Sequence, residues 1–135
     1  DFLPKLIMRV VRTLEDEAEP VLGVLEAVMA IAGAGVPVAV ASNSSRRELE
    51  TKLRRLGLTD LFGARAFSVD DVAKPKPAPD MYLAAAAACG ADPRACVVVE
   101  DSPAGARAGV AAGCRVLGFA HGEAAASALQ AAGAV

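Results

Sequence analysis

Apolar positions along this chain follow two alternating rhythms. The first is the short continuous run. Val36-Pro37-Val38-Ala39-Val40-Ala41 and Cys96-Val97-Val98-Val99 are β-branched and apolar throughout, which predicts strands buried in a sheet. Arg115–Phe119 reads as a further strand and Ala66-Phe67-Ser68 as a short one. The second rhythm is helical. It predicts helices over Phe2–Glu17, broken by Pro20, and over Val21–Ala34, stopped by Gly35. Arg46–Leu56 follows, with Gly57 where a terminating glycine belongs; then Met81–Cys89, with Asp80 as its N-cap and Gly90 at its end. Ala104–Ala112, closed by Gly113, and Glu123–Ala132 complete the set. Ser42–Ser45 is the polar exit of the first long strand, and Asp70–Pro79 is a proline-rich loop. Strands alternating with helices imply β-α-β units and a mostly parallel sheet.

Composition narrows this picture without changing it. The 135 residues suffice for one domain with its own core, and no repeat period or second domain is visible. Hydrophobic residues make up 54% and aromatics only 4%, so the core is built from Ala, Val and Leu. A net charge of −2 offers no basic field for nucleic acid. No run approaches the roughly 18 consecutive apolar residues of a membrane span. The three cysteines, Cys89, Cys96 and Cys114, form no C-x-x-C pair and read as small buried residues in a reducing compartment, so a cytoplasmic location is expected.

Three places carry more chemistry than folding requires. In Ala41-Ser42-Asn43-Ser44-Ser45 a hydroxyl is followed by free backbone N–H groups at a helix start, a seat for an oxyanion or phosphate; a plain N-cap cluster is the simpler alternative. In Lys74-Pro75-Lys76-Pro77-Ala78-Pro79-Asp80 prolines stiffen a loop that holds point charges suited to phosphate, or merely solvated lysines. In Val97-Val98-Val99-Glu100-Asp101-Ser102-Pro103-Ala104-Gly105 a buried strand delivers two carboxylates to its carboxyl end, where open α/β sheets bind ligands. Adjacent carboxylates repel unless a cation or a shared proton compensates. Oxygen ligands of this kind suit Mg²⁺. Helix capping accounts for one of the acids better than for both.

Taken in order, these segments resemble the haloacid dehalogenase-like hydrolases, in particular the subgroup of β-phosphoglucomutase and sugar-phosphate phosphatases. Ser42-Asn43 matches the family's second motif, Lys76-Pro77-Ala78-Pro79-Asp80 its third and Glu100-Asp101-Ser102-Pro103-Ala104-Gly105 its fourth. Lys74 fits the third motif less well because its downstream residues differ. The resemblance implies a three-layer, Rossmann-like α/β fold. It also implies Mg²⁺ held by Asp101 with Glu100 direct or through water, phosphate oxygens held by Ser42 Oγ and the Asn43 backbone N–H, and Lys76 offsetting charge between nucleophile and phosphate. Ser42 and Lys76 are thus the implied catalytic residues of this chain.

The family's first motif, Asp-x-Asp-x-Thr or Val, has no match. Asp1 is followed by Phe2-Leu3-Pro4, and Asp70-Asp71 has adjacent rather than alternating acids. The cap that normally follows the first motif is also missing, so residues 1–19 are expected to be a residual cap helix and linker, and residues 20–135 a core lacking its first strand. That strand belongs at the sheet centre. Without it, neighbouring strands would bury unpaired N–H and C=O groups, at about 1–3 kcal/mol each. The expectation is therefore a part of a longer protein, inactive alone, whose first-motif segment comes from the same gene or another chain. The parent is expected to be a phosphatase acting on a small phosphorylated metabolite, in particular a sugar phosphate, through an aspartyl-phosphate. Alternatives are a phosphosugar mutase and a non-catalytic phosphate- or Mg²⁺-binding or regulatory module. His121, at a strand end, is expected to be a loop residue.

Overall fold

The computed structural model describes residues 5–8 and 23–135. In chain order the elements are β1 (Lys5–Met8), α1 (Val24–Gly33), β2 (Val38–Ala41), α2 (Arg46–Arg55), α3 (Thr59–Phe62), β3 (Ala66–Phe67), α4 (Asp80–Ala88), β4 (Cys96–Glu100), α5 (Pro103–Ala111), β5 (Arg115–Gly118) and α6 (Glu123–Ala131). Short 3-10 turns lie at Val69–Asp71 and Pro93–Ala95. The strands form one parallel sheet in the order β3-β2-β1-β4-β5.

Side chains alternate across a strand, and that alternation builds the two outer layers. Ala39, Ala41, Cys96, Val98 and Val116 point to one face, where they pack with Met81, Tyr82 and Ala85 of α4, Ala106 of α5 and Leu129 of α6. Val38, Val40 and Val97 point to the other, against Val28 of α1, Leu49 and Leu53 of α2 and Phe62 of α3. Both faces of β2 and β4 are covered, which is why those strands are apolar at nearly every position. The expected three-layer fold is the observed one. Glu100 continues the Cys96–Val98 face, so strand geometry turns its side chain inward toward α4 and α5 rather than out into solvent.

Four local expectations need correction. The helix predicted over Phe2–Glu17 is a strand at Lys5–Met8; the rest of that prediction, and the boundary at residue 19, lie outside the described residues. β1 fills the sheet centre, with Leu6 beside both Val38 and Val97, so the gap expected there is absent. The ladder groups of two buried strands demand a partner, and this demand outweighs the local helical rhythm of a short apolar stretch. β2 begins at Val38 rather than Val36, because Val36 N–H closes the end of α1 on Ile31 O at 3.3 Å and Pro37 has no N–H to donate. Asp80 is not the N-cap of α4: Pro79 holds that position, and Asp80 Oδ2 accepts instead from Lys74 N at 3.2 Å. The short α3 and both 3-10 turns are additions, too brief for periodicity to reveal.

Candidate active site

β2 and β4 flank β1 in the sheet, and their carboxyl ends carry the first and third of the chemical segments. The second segment closes over them. Lys76, in the loop before α4, reaches into the core: its Nζ donates to Ala41 O at 3.0 Å and to Glu100 Oε1 at 2.6 Å. The two side chains are 1% and 0% exposed, so this is a desolvated ion pair. Nζ also sits 4.9 Å from the centroid of the Tyr82 ring. Lys74, by contrast, is exposed.

Asn43 fixes the register of that loop. Its Nδ2 donates to Lys76 O at 3.2 Å and its Oδ1 accepts from Lys76 N at 3.1 Å, a reciprocal clamp between the β2 exit and the lysine loop. Ser42 is buried beside it. Its backbone N–H is tied to Phe67 O at 2.9 Å, and its Oγ accepts from Ser44 N at 3.2 Å and lies 3.0 Å from Ser44 Oγ. Ser44 Oγ in turn accepts from Lys52 Nζ of α2 at 2.9 Å. The helix start itself is closed by a capping box between Ser45 and Glu48, which leaves Ser42 and Ser44 outside the cap.

Glu100 is held on every side. Oε1 accepts from Lys76 and from the Tyr82 hydroxyl; Oε2 accepts from Ser102 Oγ at 3.1 Å and Ser102 N at 3.3 Å. The Ser102 hydroxyl also accepts from Gly105 N at 3.1 Å, so one side chain caps α5 and orients the carboxylate. Gly105 is required for space: a Cβ there would lie 2.0 Å from Glu100 Cδ. Asp101, the next residue, is half-buried at the strand exit. The described residues contain no group of three or more His, Cys, Asp or Glu able to hold a metal. The donor set suits a cation that takes one or two carboxylates and completes its shell with water and phosphate, as Mg²⁺ does. The Glu100 oxygens already receive four donors, with which any ion contact would compete.

Of the residues singled out in the sequence, Ser42, Asn43, Lys76 and Glu100 are linked around these strand ends, with Asp101 adjacent in the chain. Tyr82 and Lys52 were not singled out, and Ser44, Ser102 and Gly105 entered only as members of their segments. The glycine after Ser102-Pro103-Ala104 and the chain's one tyrosine were the available signals. Asp70 and Asp71 serve a different purpose: Asp70 Oδ2 accepts from Arg46 N at 2.7 Å, while Asp71 pairs with the Arg46 guanidinium and accepts from Ser68 N and Oγ at 2.7 Å each. Partial burial pushes the Asp71 carboxyl up, but hydrogen bonds from Arg46 and Ser68 outweigh it and hold the group at about 2. His121 is exposed and packs edge-on against Phe119, as expected of a loop residue.

Open parallel α/β sheets bind ligands at their carboxyl edge, and here a hydroxyl, a buried ammonium and carboxylates are gathered there. The model of the haloacid dehalogenase-like hydrolases matches residues 5–113, and the chain belongs to that family. It is 48% identical over 84 residues to a bifunctional riboflavin kinase/FMN phosphatase of Arabidopsis thaliana, covering 62% of this chain and 22% of that protein. Hexitol phosphatase B of Escherichia coli is 39% identical over 116 residues, 85% of this chain and 51% of the relative. Among solved structures, a family hydrolase of Deinococcus radiodurans with bound phosphate and sodium superposes with a TM-score of 0.76 at 40% identity, covering 87% of this chain and 54% of that one. A proposed β-phosphoglucomutase of Thermotoga maritima gives 0.82 at 32% identity, covering 89% and 56%. The chain thus spans about half the length, or less, of these relatives.

Proposed function

We propose that this chain is the greater part of the core of a Mg²⁺-dependent phosphatase acting on a small phosphorylated metabolite, a sugar phosphate. One observation carries the reading: Lys76, buried and paired with Glu100, reaches the end of β2 beside Ser42. Folding alone gives little reason to bury an ammonium there, because burying such a pair costs several kcal/mol in lost hydration. A phosphoryl group at this edge makes use of it. The phosphatase relatives and the phosphate in the Deinococcus structure support the same chemistry.

In this reading Ser42 Oγ and the Asn43 backbone N–H hold phosphoryl oxygens, and Lys76 offsets the negative charge shared by nucleophile and phosphate. Asp101 holds Mg²⁺, whose role when bound is to neutralise phosphoryl charge; Glu100 keeps Lys76 in place, with any metal contact of its own made through water. Lys5–Met8 contains no acid and no Asp-x-Asp occurs in this sequence, so the nucleophilic and acid/base aspartates are assigned to a further segment that carries that motif. The segment bearing them takes the central place that β1 holds here. The first aspartate attacks phosphorus as the P–O ester bond breaks, and the second protonates the leaving oxygen. The second then takes a proton from water as water displaces the aspartyl oxygen from phosphorus. The cytoplasmic location belongs to the same proposal. The likeness to the Thermotoga protein keeps a phosphosugar mutase as a second reading. A chain that binds phosphate without turnover is the non-catalytic alternative.

The test is Mg²⁺-dependent hydrolysis of p-nitrophenyl phosphate by a protein that includes the first motif. Asp101→Asn is expected to lower turnover at least a hundredfold with an unchanged unfolding midpoint, and Lys76→Ala to cost far more turnover per folded molecule than Lys74→Ala. Full activity in Asp101→Asn, or equal mild losses in the two lysine variants, contradicts the assignment. Absence of turnover in the unmodified protein favours the non-catalytic module.

A further inference from the structure

We propose that Lys52 and Ser44 form a hydrogen-bonded relay that aims the Ser42 hydroxyl proton at a bound phosphoryl oxygen; the inference rests on the reading of Ser42 as part of a phosphate seat. Lys52 projects from α2 back toward the helix start, as long side chains on helices do. Its Nζ donates to Ser44 Oγ at 2.9 Å and has no carboxylate within ion-pair distance among the described residues. An ammonium only donates, so the direction of that bond is fixed. The backbone N–H of Ser44, also a donor only, points at Ser42 Oγ from 3.2 Å. Between these two fixed bonds lies one reversible bond, Ser42 Oγ to Ser44 Oγ at 3.0 Å, in which either hydroxyl donates.

With no anion in place, Ser42 donates to Ser44, and both acceptor sites of Ser44 are used. With a phosphoryl oxygen in front of Ser42, the inner bond reverses: Ser44 donates to Ser42, and Ser42 donates outward. In the second arrangement both hydroxyls use their donor and their acceptor sites, the Ser44 proton gaining Ser42 Oγ as its acceptor, and no heavy atom moves. An ammonium at the head of the chain favours the second arrangement. It polarises Ser44, which polarises Ser42, and bonds in such chains strengthen one another by roughly 10–30% each. Lys52 is therefore a positioning residue that acts on the anion through two serines. A lysine that merely solvates the helix, or that attracts phosphate through space, predicts no dependence on Ser44.

That dependence is measurable. Inorganic phosphate is titrated into the protein and into Lys52→Met, Ser44→Ala, their double variant, Lys52→Arg and Ser42→Ala, following the Ser42 and Asn43 backbone amide resonances, with thermal unfolding of each variant as the check on folding. Lys52→Met and Ser44→Ala are each expected to raise the Kd about fivefold, the scale of one hydrogen bond. The double variant should bind no more weakly than Ser44→Ala alone, and Lys52→Arg should restore most of the affinity. Additive losses in the double variant, or an unchanged Kd in Lys52→Met while Ser42→Ala weakens binding, overturn the relay and leave the phosphate seat standing. No binding by the unmodified protein, or no loss in Ser42→Ala, overturns the seat and the relay with it.

Discussion

The Lys76–Glu100 pair is the residue-scale centre of this molecule, and its energetics are asymmetric. Bringing both ions out of water is costly, and their attraction at 2.6 Å, with the Tyr82 and Ser102 bonds, recovers that cost only while all partners are present. Removing one ion strands the other. Glu100→Ala is expected to cost about 3–5 kcal/mol of unfolding free energy, because the ammonium stays buried without its counter-ion. Replacing both at once, with Lys76→Met and Glu100→Leu, should recover most of that loss, since a matched apolar pair carries no desolvation penalty. Urea denaturation of the single and double variants gives the coupling directly, and purely additive costs would show that the pair is not the unit described here. A double replacement that is nearly neutral beside severe single losses would support the proposed role of the ammonium at the site.

At the scale of elements, α2 is anchored to the segment after β3 by Asp70 and Asp71. Asp70 accepts from the first backbone N–H of α2, and Asp71 holds the Arg46 guanidinium and closes the turn at Ser68. The Asp71 carboxyl lies below its ordinary value of 3.8, at about 2, so the contribution has a definite pH sign. It is fully present above the unfolded-state value and is lost as pH falls through the folded one. Because the group is partly exposed, its worth is about 1 kcal/mol. Asp71→Asn is expected to be less stable than the unmodified chain by that amount at neutral pH. The gap should close between about pH 4 and pH 2 in chemical denaturation. A gap that persists unchanged at pH 2 would mean the tie is not ionic. These same elements show what the chain made legible. β2 and β4 were readable because burial on both faces requires unbroken apolar runs, and Ser42, Lys76 and Glu100 were readable from their order at strand exits and in the proline loop. β1 was not, because the three-residue apolar run Leu6-Ile7-Met8 satisfies a helix as well as a strand, and only ladder groups distant in sequence decide between them. Tyr82, Ser44 and Lys52 were equally hidden, since their contacts arise when α4 and α2 pack onto the sheet edge.

At the scale of the whole molecule, the proposed mechanism asks for one carboxylate to attack phosphorus and another to move protons, and the described strand between β2 and β4, Lys5–Met8, has no acidic side chain. Positioning groups without a nucleophile bind an anion but do not turn it over. This chain alone is therefore expected to bind inorganic phosphate weakly and to show no Mg²⁺-dependent hydrolysis of p-nitrophenyl phosphate above background. Joined to a segment carrying Asp-x-Asp, it should gain turnover that falls when the first of those aspartates becomes Asn. The relevant measurement is the initial rate at matched protein concentration, with and without the segment and with and without Mg²⁺. Turnover by the chain alone, abolished by Asp101→Asn, would require a nucleophile among the residues present, and would place the chemistry on an acid of this sequence instead. The mixed outcome is also informative. If the added segment takes the sheet centre but brings no turnover, the edge binds phosphate without acting on it, and the buried Lys76 is a ligand-binding charge rather than a catalytic one.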